Sequence, residues 1–399
     1  MSQDWTADRV EVLFRTLDKY VDDAVALRRE IHAEPRRSGE EQDTTDLVLD
    51  ALGMPATLLP EGGAIVRVGD ADGPAVGLRA ELDALPVAEQ TDVPWRSANG
   101  SMHACGHDVH LAAAYAVARA LDDAGSPLPL VLVLQPREET YPSGAKDVTL
   151  SEEFTRHDVR AFIGAHVQPR LPQGCFAATP GPVNAAADEF RIVVQGRPGH
   201  AAYPHLTADP VVAAADLIGT LQHLVSRQVD PTNPTVLTVG SITGGNSPNV
   251  VPATVRMDGI LRTFDENDRV RLHGAIERTS QAVADVHGCD AEVEVSRGAP
   301  VLENDPDLAR IAETWIEQAG LTAAPPLRSC GADDFSFYCP LVPSLMVFVG
   351  VGSGGPGEPG LHHPTFLPSE ETVGQLARTM LAAYLAGCST VEELPLPEL

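Results

Sequence analysis

The run Leu130-Val131-Leu132-Val133-Leu134-Gln135-Pro136-Arg137-Glu138-Glu139 decides the fold. Five consecutive apolar residues describe a strand buried on both faces, because a strand with one face in water would alternate apolar with polar. Pro136 cannot donate to a ladder, so the strand stops there and two carboxylates follow at once. Val159 to Gly164 and Leu345 to Val349 are runs of the same kind. Ala64 to Val68 and Ala75 to Arg79 are shorter strand-like runs beside glycines. Helical spacing separates them. Val10, Leu13, Phe14, Leu17, Val21, Ala24, Val25 and Leu27 predict a helix from Ala7 to about His32. Others are expected over Asp43–Leu52, Val109–Leu121, Pro306–Gln318 and Glu370–Ala386. Strands alternating with helices make an α/β domain with a mostly parallel sheet covered on both faces.

Polar residues sit where such a sheet binds ligands, beyond the carboxyl ends of its strands. Asp83 follows one strand, Glu138 and Glu139 another, His166 a third, and His362 the last, after a glycine-rich loop. Adjacent carboxylates cannot both point the same way, so Glu138 and Glu139 have separable roles. One can bind a metal while the other moves protons. Met102-His103-Ala104-Cys105-Gly106-His107-Asp108-Val109-His110 packs three histidines, a cysteine and an aspartate into nine residues. Cys105 and His107 are ligand types that suit zinc, manganese, cobalt or nickel, and Gly106 lets the backbone turn so that both face one point. A lone Cys-x-His reads equally as a buried thiol beside a surface histidine. Its company at the strand ends favours the metal.

The pattern changes between about Asn184 and Arg297. Glu189–Gln195 reads as strand and Pro210–Arg227 as helix. Thr235–Ile242 and Val250–Phe264 follow as strands around Gly-Gly-Asn-Ser-Pro-Asn. Glu266–Val286 is helix and Ala291–Ser296 strand. This β-α-β-β-α-β order is a ferredoxin-like unit, expected as an insertion over 184–298 in a domain made of 1–183 and 299–399. The tail Thr390–Leu399 is Pro- and Glu-rich and expected to fray.

At 399 residues two domains are the natural expectation. A net charge of −28, with Lys19 and Lys146 the sole lysines, argues against nucleic acid or an anionic membrane as partner. No apolar run is long enough to span a bilayer. The first residues carry no basic-then-apolar leader pattern, and six cysteines lack a framework spacing. A reducing cytoplasm is the simplest reading.

Six segments then appear in one order: Leu78-Arg79-Ala80-Glu81-Leu82-Asp83-Ala84-Leu85-Pro86, Met102 to Asp108, Gln135 to Glu139, Gly199-His200-Ala201-Ala202-Tyr203-Pro204-His205, Asp334-Phe335-Ser336 and Leu361-His362-His363-Pro364. With them the chain resembles the di-metal amidohydrolases that include hippurate hydrolase, N-acyl-amino-acid aminoacylases and auxin-conjugate hydrolases, grouped with carboxypeptidase G. The resemblance runs from Leu27-Arg28-Arg29-Glu30-Ile31-His32 to the closing helix. It implies a metallopeptidase-like catalytic domain with an inserted lid and dimerisation domain. It implies two divalent ions per subunit, held by Cys105, His107, Glu139, His166 and His362, with the Cys105 thiolate able to bridge them. Glu138 is then the general base and Asp83 orients a ligand. His200 is implied to reach a partner subunit's site in a homodimer. Asn249 and Arg262 are implied to hold the substrate's amide oxygen or carboxylate. His363 reads as a neighbour of the ligands, and His103, His110 and His205 read equally as functional or structural. Departures are Glu81 for the commoner aspartate, Arg137 beside the base where a small residue is usual, and Asp333-Asp334 for Glu-Asp.

The function so implied is hydrolysis of N-acyl amino acids to a carboxylic acid and a free amino acid. Its rivals are a dipeptidase or carboxypeptidase on the same machinery and a non-catalytic metal-binding protein, which would lack the base that Glu138 supplies.

Overall fold

The structure, a computed structural model, describes residues 5–70, 72–352, 355 and 357–391. The chain begins with α1 (Ala7–Lys19), α2 (Val21–Ala33) and α3 (Gln42–Leu52), then β1 (Ala56–Leu58), β2 (Ala64–Val68) and β3 (Pro74–Glu81). Next come α4 (His107–Ala124), β4 (Leu130–Gln135), α5 (Gly144–Leu150), α6 (Glu152–Thr155), β5 (Asp158–Pro172), β6 (Cys175–Ala177) and β7 (Gly181–Asn184). The middle of the chain holds β8 (Ala186–Gln195), β9 (Gly199–His200), α7 (Pro210–Gln228), β10 (Thr235–Gly244), β11 (Val250–Val251), β12 (Thr254–Thr263), α8 (Glu266–Val286) and β13 (Asp290–Arg297). β14 (Leu302–Asn304), α9 (Pro306–Gln318), β15 (Thr322–Ala323), β16 (Ser344–Gly352) and α10 (Glu371–Val391) complete it.

The chain divides into two compact units. One comprises Met1–Gly181, Glu303–Leu327 and Asp334–Leu399; the other comprises Pro182–Leu302 and Arg328–Asp333. The first is built on an eight-stranded sheet in the order β1-β2-β4-β3-β5-β16-β6-β15. Its centre, β4-β3-β5-β16, is parallel throughout. Every residue of β4 is buried, as a strand sandwiched between helical layers must be. Helices α4 and α10 carry long alanine-rich buried faces, and small side chains let them approach the sheet and each other closely. In the second unit an antiparallel sheet runs β10-β12-β8-β13. One of its faces packs Phe190, Ile192 and Val194 against Leu217 and Leu221 of α7 and Leu272 and Ile276 of α8. That is the β-α-β-β-α-β unit expected from sequence.

Several expectations change in detail. The long first helix is two helices, which meet at Tyr20. Its N–H closes α1 on the Leu17 carbonyl at 2.9 Å, and its own carbonyl starts α2 by accepting Ala24 N–H at 2.9 Å. The strand expected over Val250–Phe264 breaks at Pro252, which has no N–H to give a ladder. Its first piece, β11, pairs with β9 in a separate ribbon. The excursion of Arg328–Asp333 into the second unit was not legible in the sequence; there Ser329 N–H bonds the Val183 carbonyl at 2.9 Å. None of the six cysteines forms a disulfide. Among the described residues no helix is long and apolar enough to cross a membrane. The expected frayed tail lies outside the described residues after Val391, while Thr390 and Val391 close α10.

Candidate metal centre

The carboxyl ends of β3 and β4, the middle of β5, the start of α4 and the loop before α10 bring the candidate residues of the first unit together. His166 lies inside β5 (Asp158–Pro172), not after a strand as expected, because that strand continues for six residues beyond it. Donor atoms of Cys105, His107 and Glu139 lie within 4.8 Å of one another. His166 Nε2 is 3.5 Å from Cys105 Sγ. His362 Nε2 is 3.3 Å from Glu139 Oε1, and Glu138 Oε2 is 3.9 Å from His107 Nε2. Gly106 sets this up. It takes φ +88 ahead of α4, and a Cβ there would come within 2.5 Å of Val167 Cγ2. Only glycine meets both conditions at low cost.

Hydrogen bonds fix which ring nitrogens face the centre. His107 Nδ1 donates to the Asp83 carbonyl at 2.9 Å, so in the neutral ring Nε2 carries the lone pair. His166 Nδ1 donates to the Val167 carbonyl at 2.7 Å, which likewise frees Nε2 as a donor atom toward a metal. His362 has its N–H on the Ala104 carbonyl at 2.8 Å and a left-handed backbone, φ 65. Asp83 Oδ2 accepts Glu139 N–H at 2.9 Å. Asp83 and Glu139 are therefore joined through the Glu139 backbone.

The donor set fits divalent metal. His107 Nε2 is buried without a hydrogen bond, which is costly for a polar atom unless something else satisfies it. The surrounding charge is negative. Burial acts to lower the His107 pKa, but Glu81, Asp83 and Glu139 outweigh it and hold it up at about 10. Burial and the carboxylates of Glu139 and Glu138 push the Cys105 thiol well above its ordinary value. A cation bound among these atoms would reverse both tendencies, favouring the thiolate and the neutral imidazole. Cys105, His107, Glu139, His166 and His362 are the residues that would hold it.

A second group of donor atoms, Glu81, His107, His110 and His166, is equally close-set, yet its hydrogen bonds exclude His110 as a ligand. Val167 N–H donates to His110 Nε2 at 3.1 Å, and His110 Nδ1 donates to Glu81 at 2.9 Å. Glu81 also pairs with Arg79, which reaches Asp334 at 2.7 Å. Asp334 further accepts Gln135, the Ser143 hydroxyl and Ala145 N–H. This buried network ties β3, β4 and the start of α5 together beneath the site.

The structure adds residues that motif reading passed over. Arg28 and His32 of α2 both bond Asp108 at 2.9 Å, and His32 also meets Glu89 at 3.1 Å. Asp108 sits in the first turn of α4, where a carboxylate favours the helix dipole. Their signal was present in Leu27–His32, but nothing in the sequence named their partners. Arg137, which departs from the usual small residue, points its charge at Asp147, 2.5 Å away. His200, Asn249 and Arg262 belong to the second unit. His200 is exposed on β9, opposite Val250, and its Nδ1 accepts Ala202 N–H at 3.1 Å. Asn249 is its neighbour, with its carbonyl accepting Ala201 N–H at 3.0 Å. Arg262 is half-buried on β12, with Nη1 lacking a hydrogen-bond partner.

A mostly parallel sheet that gathers a buried thiol, imidazoles and paired carboxylates at one site defines a metal-dependent hydrolase site. The chain belongs to peptidase family M20/M25/M40, whose model matches residues 77–386. It is 34% identical to the N-acetyl-L-cysteine deacetylase of Bacillus subtilis over 90% of this chain and 86% of that one. It is 32% identical to the N-acetyldiaminopimelate deacetylase of Listeria innocua over 88% of this chain and 95% of the relative. Among solved structures it is similar to a dinuclear metal-binding peptidase of the M20 family from Bacillus subtilis. There the TM-score is 0.78 and the identity 29%, covering 94% of this chain and 98% of that one. The protein is thus a hydrolase of amide bonds.

Proposed function

We propose that this enzyme hydrolyses N-acyl amino acids, releasing a carboxylic acid and a free amino acid. The observation that carries the reading is the pair Glu138–Glu139 at the end of β4. Glu139 groups with Cys105 and His107, its Oε1 3.3 Å from His362 Nε2, and Glu138 Oε2 lies 3.9 Å from His107 Nε2. The deacetylases among its relatives act on N-acetylated amino acids, which supports that substrate class here. Two divalent ions held by Cys105, His107, Glu139, His166 and His362 supply Lewis acidity and lower the pKa of water when bound. Glu138 removes a proton from the attacking water and returns it to the leaving nitrogen. Asp83 keeps His107 in the tautomer that leaves Nε2 unprotonated. Arg262 pairs with the free carboxylate of the amino-acid half, Asn249 holds the amide oxygen, and His200 donates a hydrogen bond to the developing oxyanion. The unit around 184–298 serves as lid and dimerisation domain, the protein works as a cytoplasmic homodimer, and zinc, manganese, cobalt or nickel serves as the metal.

The test is a substrate panel on protein reconstituted with each metal in turn. N-acetyl and N-benzoyl amino acids are expected to turn over faster than dipeptides. Faster cleavage of dipeptides would replace this reading by a peptidase. No turnover of either class would remove it.

A further inference from the structure

We infer that the short connection between α2 and α3 positions the Glu138–Glu139 pair, with Glu41 setting the base and Ser38 the metal ligand. This rests on the reading of Glu138 as the base. Glu138 lies between two residues whose backbone N–H groups are each held by a buried carboxylate. Glu41 Oε1 accepts Arg137 N–H at 2.8 Å. Asp83 Oδ2 accepts Glu139 N–H at 2.9 Å and the Ser38 hydroxyl at 2.7 Å. Ser38 and Glu41 come from one segment, which is itself tied to the end of β3. There Ala84 N–H bonds the Arg36 carbonyl at 2.8 Å, and Arg37 bridges to Ala84.

The segment has something to hold. Arg137 takes φ 53, and among the described residues it and His362 are the two non-glycine residues with positive φ. That conformation is unfavourable for a side chain of arginine's size and persists where surrounding bonds impose it. Glu41 bonds the strained residue's own N–H. Asp147 of α5 takes its guanidinium at 2.5 Å, and Gly144 N–H donates to its carbonyl at 3.1 Å. Gly144 is required for that approach, since a Cβ there would lie 1.8 Å from the Pro136 carbonyl oxygen. Strain at Arg137 aims the following residue, so releasing the N–H turns Glu138 away while Glu139 stays on Asp83. The connection is thus a two-point clamp with separable outputs.

The test uses the full metal-loaded enzyme and four variants. Glu41→Ala is expected to lower kcat about tenfold or more while KM and metal content stay near the native values. Glu41→Gln keeps an acceptor oxygen and is expected to stay within about threefold of native kcat. Adding Arg137→Gly to Glu41→Ala should restore much of the loss, because glycine takes positive φ without strain. Ser38→Ala is read without turnover, by competition with a chromophoric chelator, and is expected to weaken metal affinity about tenfold. The clamp is overturned if Glu41→Ala keeps kcat within about twofold of native, or if Gln damages as much as Ala. It is overturned too if glycine at 137 restores nothing, or if Ser38→Ala binds metal as the native protein does. Should Glu41→Ala not fold, Glu41→Gln and Ser38→Ala still decide. If the native enzyme turns over no N-acyl amino acid, the functional reading fails and the affinity of Ser38→Ala still tests the clamp.

Discussion

Glu138 and Glu139 are neighbours in sequence with different surroundings. Glu139 is pulled below the usual carboxylate range: burial acts to raise it, but His362 and His107 outweigh that. Glu138 lies 3.9 Å from His107 and makes further contacts of its own. Glu138→Gln is therefore expected to keep its metal and to lose roughly 10²–10⁴-fold in kcat, the range for a general base. Metal analysis alongside steady-state rates checks both halves, and substantial residual turnover removes Glu138 as the base. Cys105→Ala should lower metal content and activity together. Full occupancy after the change would make Cys105 structural. The residue types and order of this cluster were legible in the sequence. The role of Glu81 and His110 was not, because their mutual hydrogen bond joins the end of β3 to α4, 29 residues apart in sequence.

At the scale of elements, α4 is the organising piece. It starts at His107 from a left-handed glycine, and its buried Asp108 is gripped by α2. Gly106→Ala is expected to destabilise the protein by roughly 1–3 kcal/mol and to weaken metal binding, since either Val167 or the turn must move. Thermal melts with and without excess metal read the two effects separately. His32 gives a pH signature. Burial works to lower its pKa, but Asp108 and Glu89 overcome this and raise it from 6.5 to about 9. The raised value means that the protonated ring stabilises the fold fully below pH 6.5, and this is lost as pH rises through about 9. The stability deficit of His32→Gln relative to native should be largest near pH 6 and shrink by about pH 9, with a span on the order of 3 kcal/mol. A deficit that does not change with pH would show that His32 acts by packing alone.

At the scale of the whole molecule, two units with separate cores share one chain. The proposed metal ligands and base lie in one, and His200, Asn249 and Arg262, proposed to hold substrate, lie in the other. His200 is the sharpest case. Its Nδ1 is engaged with its own loop, and its Nε2 remains the donor that a developing oxyanion would use. His200→Ala is expected to cut kcat and leave metal content unchanged. If the protein is the proposed homodimer and His200 acts across the interface, mixing inactive Glu138→Gln with inactive His200→Ala under subunit exchange recovers activity, because each mixed dimer would then hold one site with both residues native. No recovery despite demonstrated exchange would mean that His200 acts within its own subunit or not at all.

The sequence by itself determined the layer order and most of the helices, because period and buried apolar runs are local properties. It also determined which residue types stand at the strand ends. α8 and α9 run over Glu266–Val286 and Pro306–Gln318 as expected from spacing, each starting at an aspartate whose side chain accepts first-turn N–H groups. Tertiary structure alone decided the break at Tyr20, the return of Arg328–Asp333 to the second unit, and the choice among close-set histidines. His107, His110 and His166 look alike in sequence. Only the carbonyl of Asp83, the N–H and carbonyl of Val167 and the carboxylate of Glu81 separate the first and third, with Nδ1 engaged on a carbonyl, from the second, with both nitrogens bonded to the protein frame. Those partners come from strands far apart in the chain, so the distinction exists only after the sheet has formed.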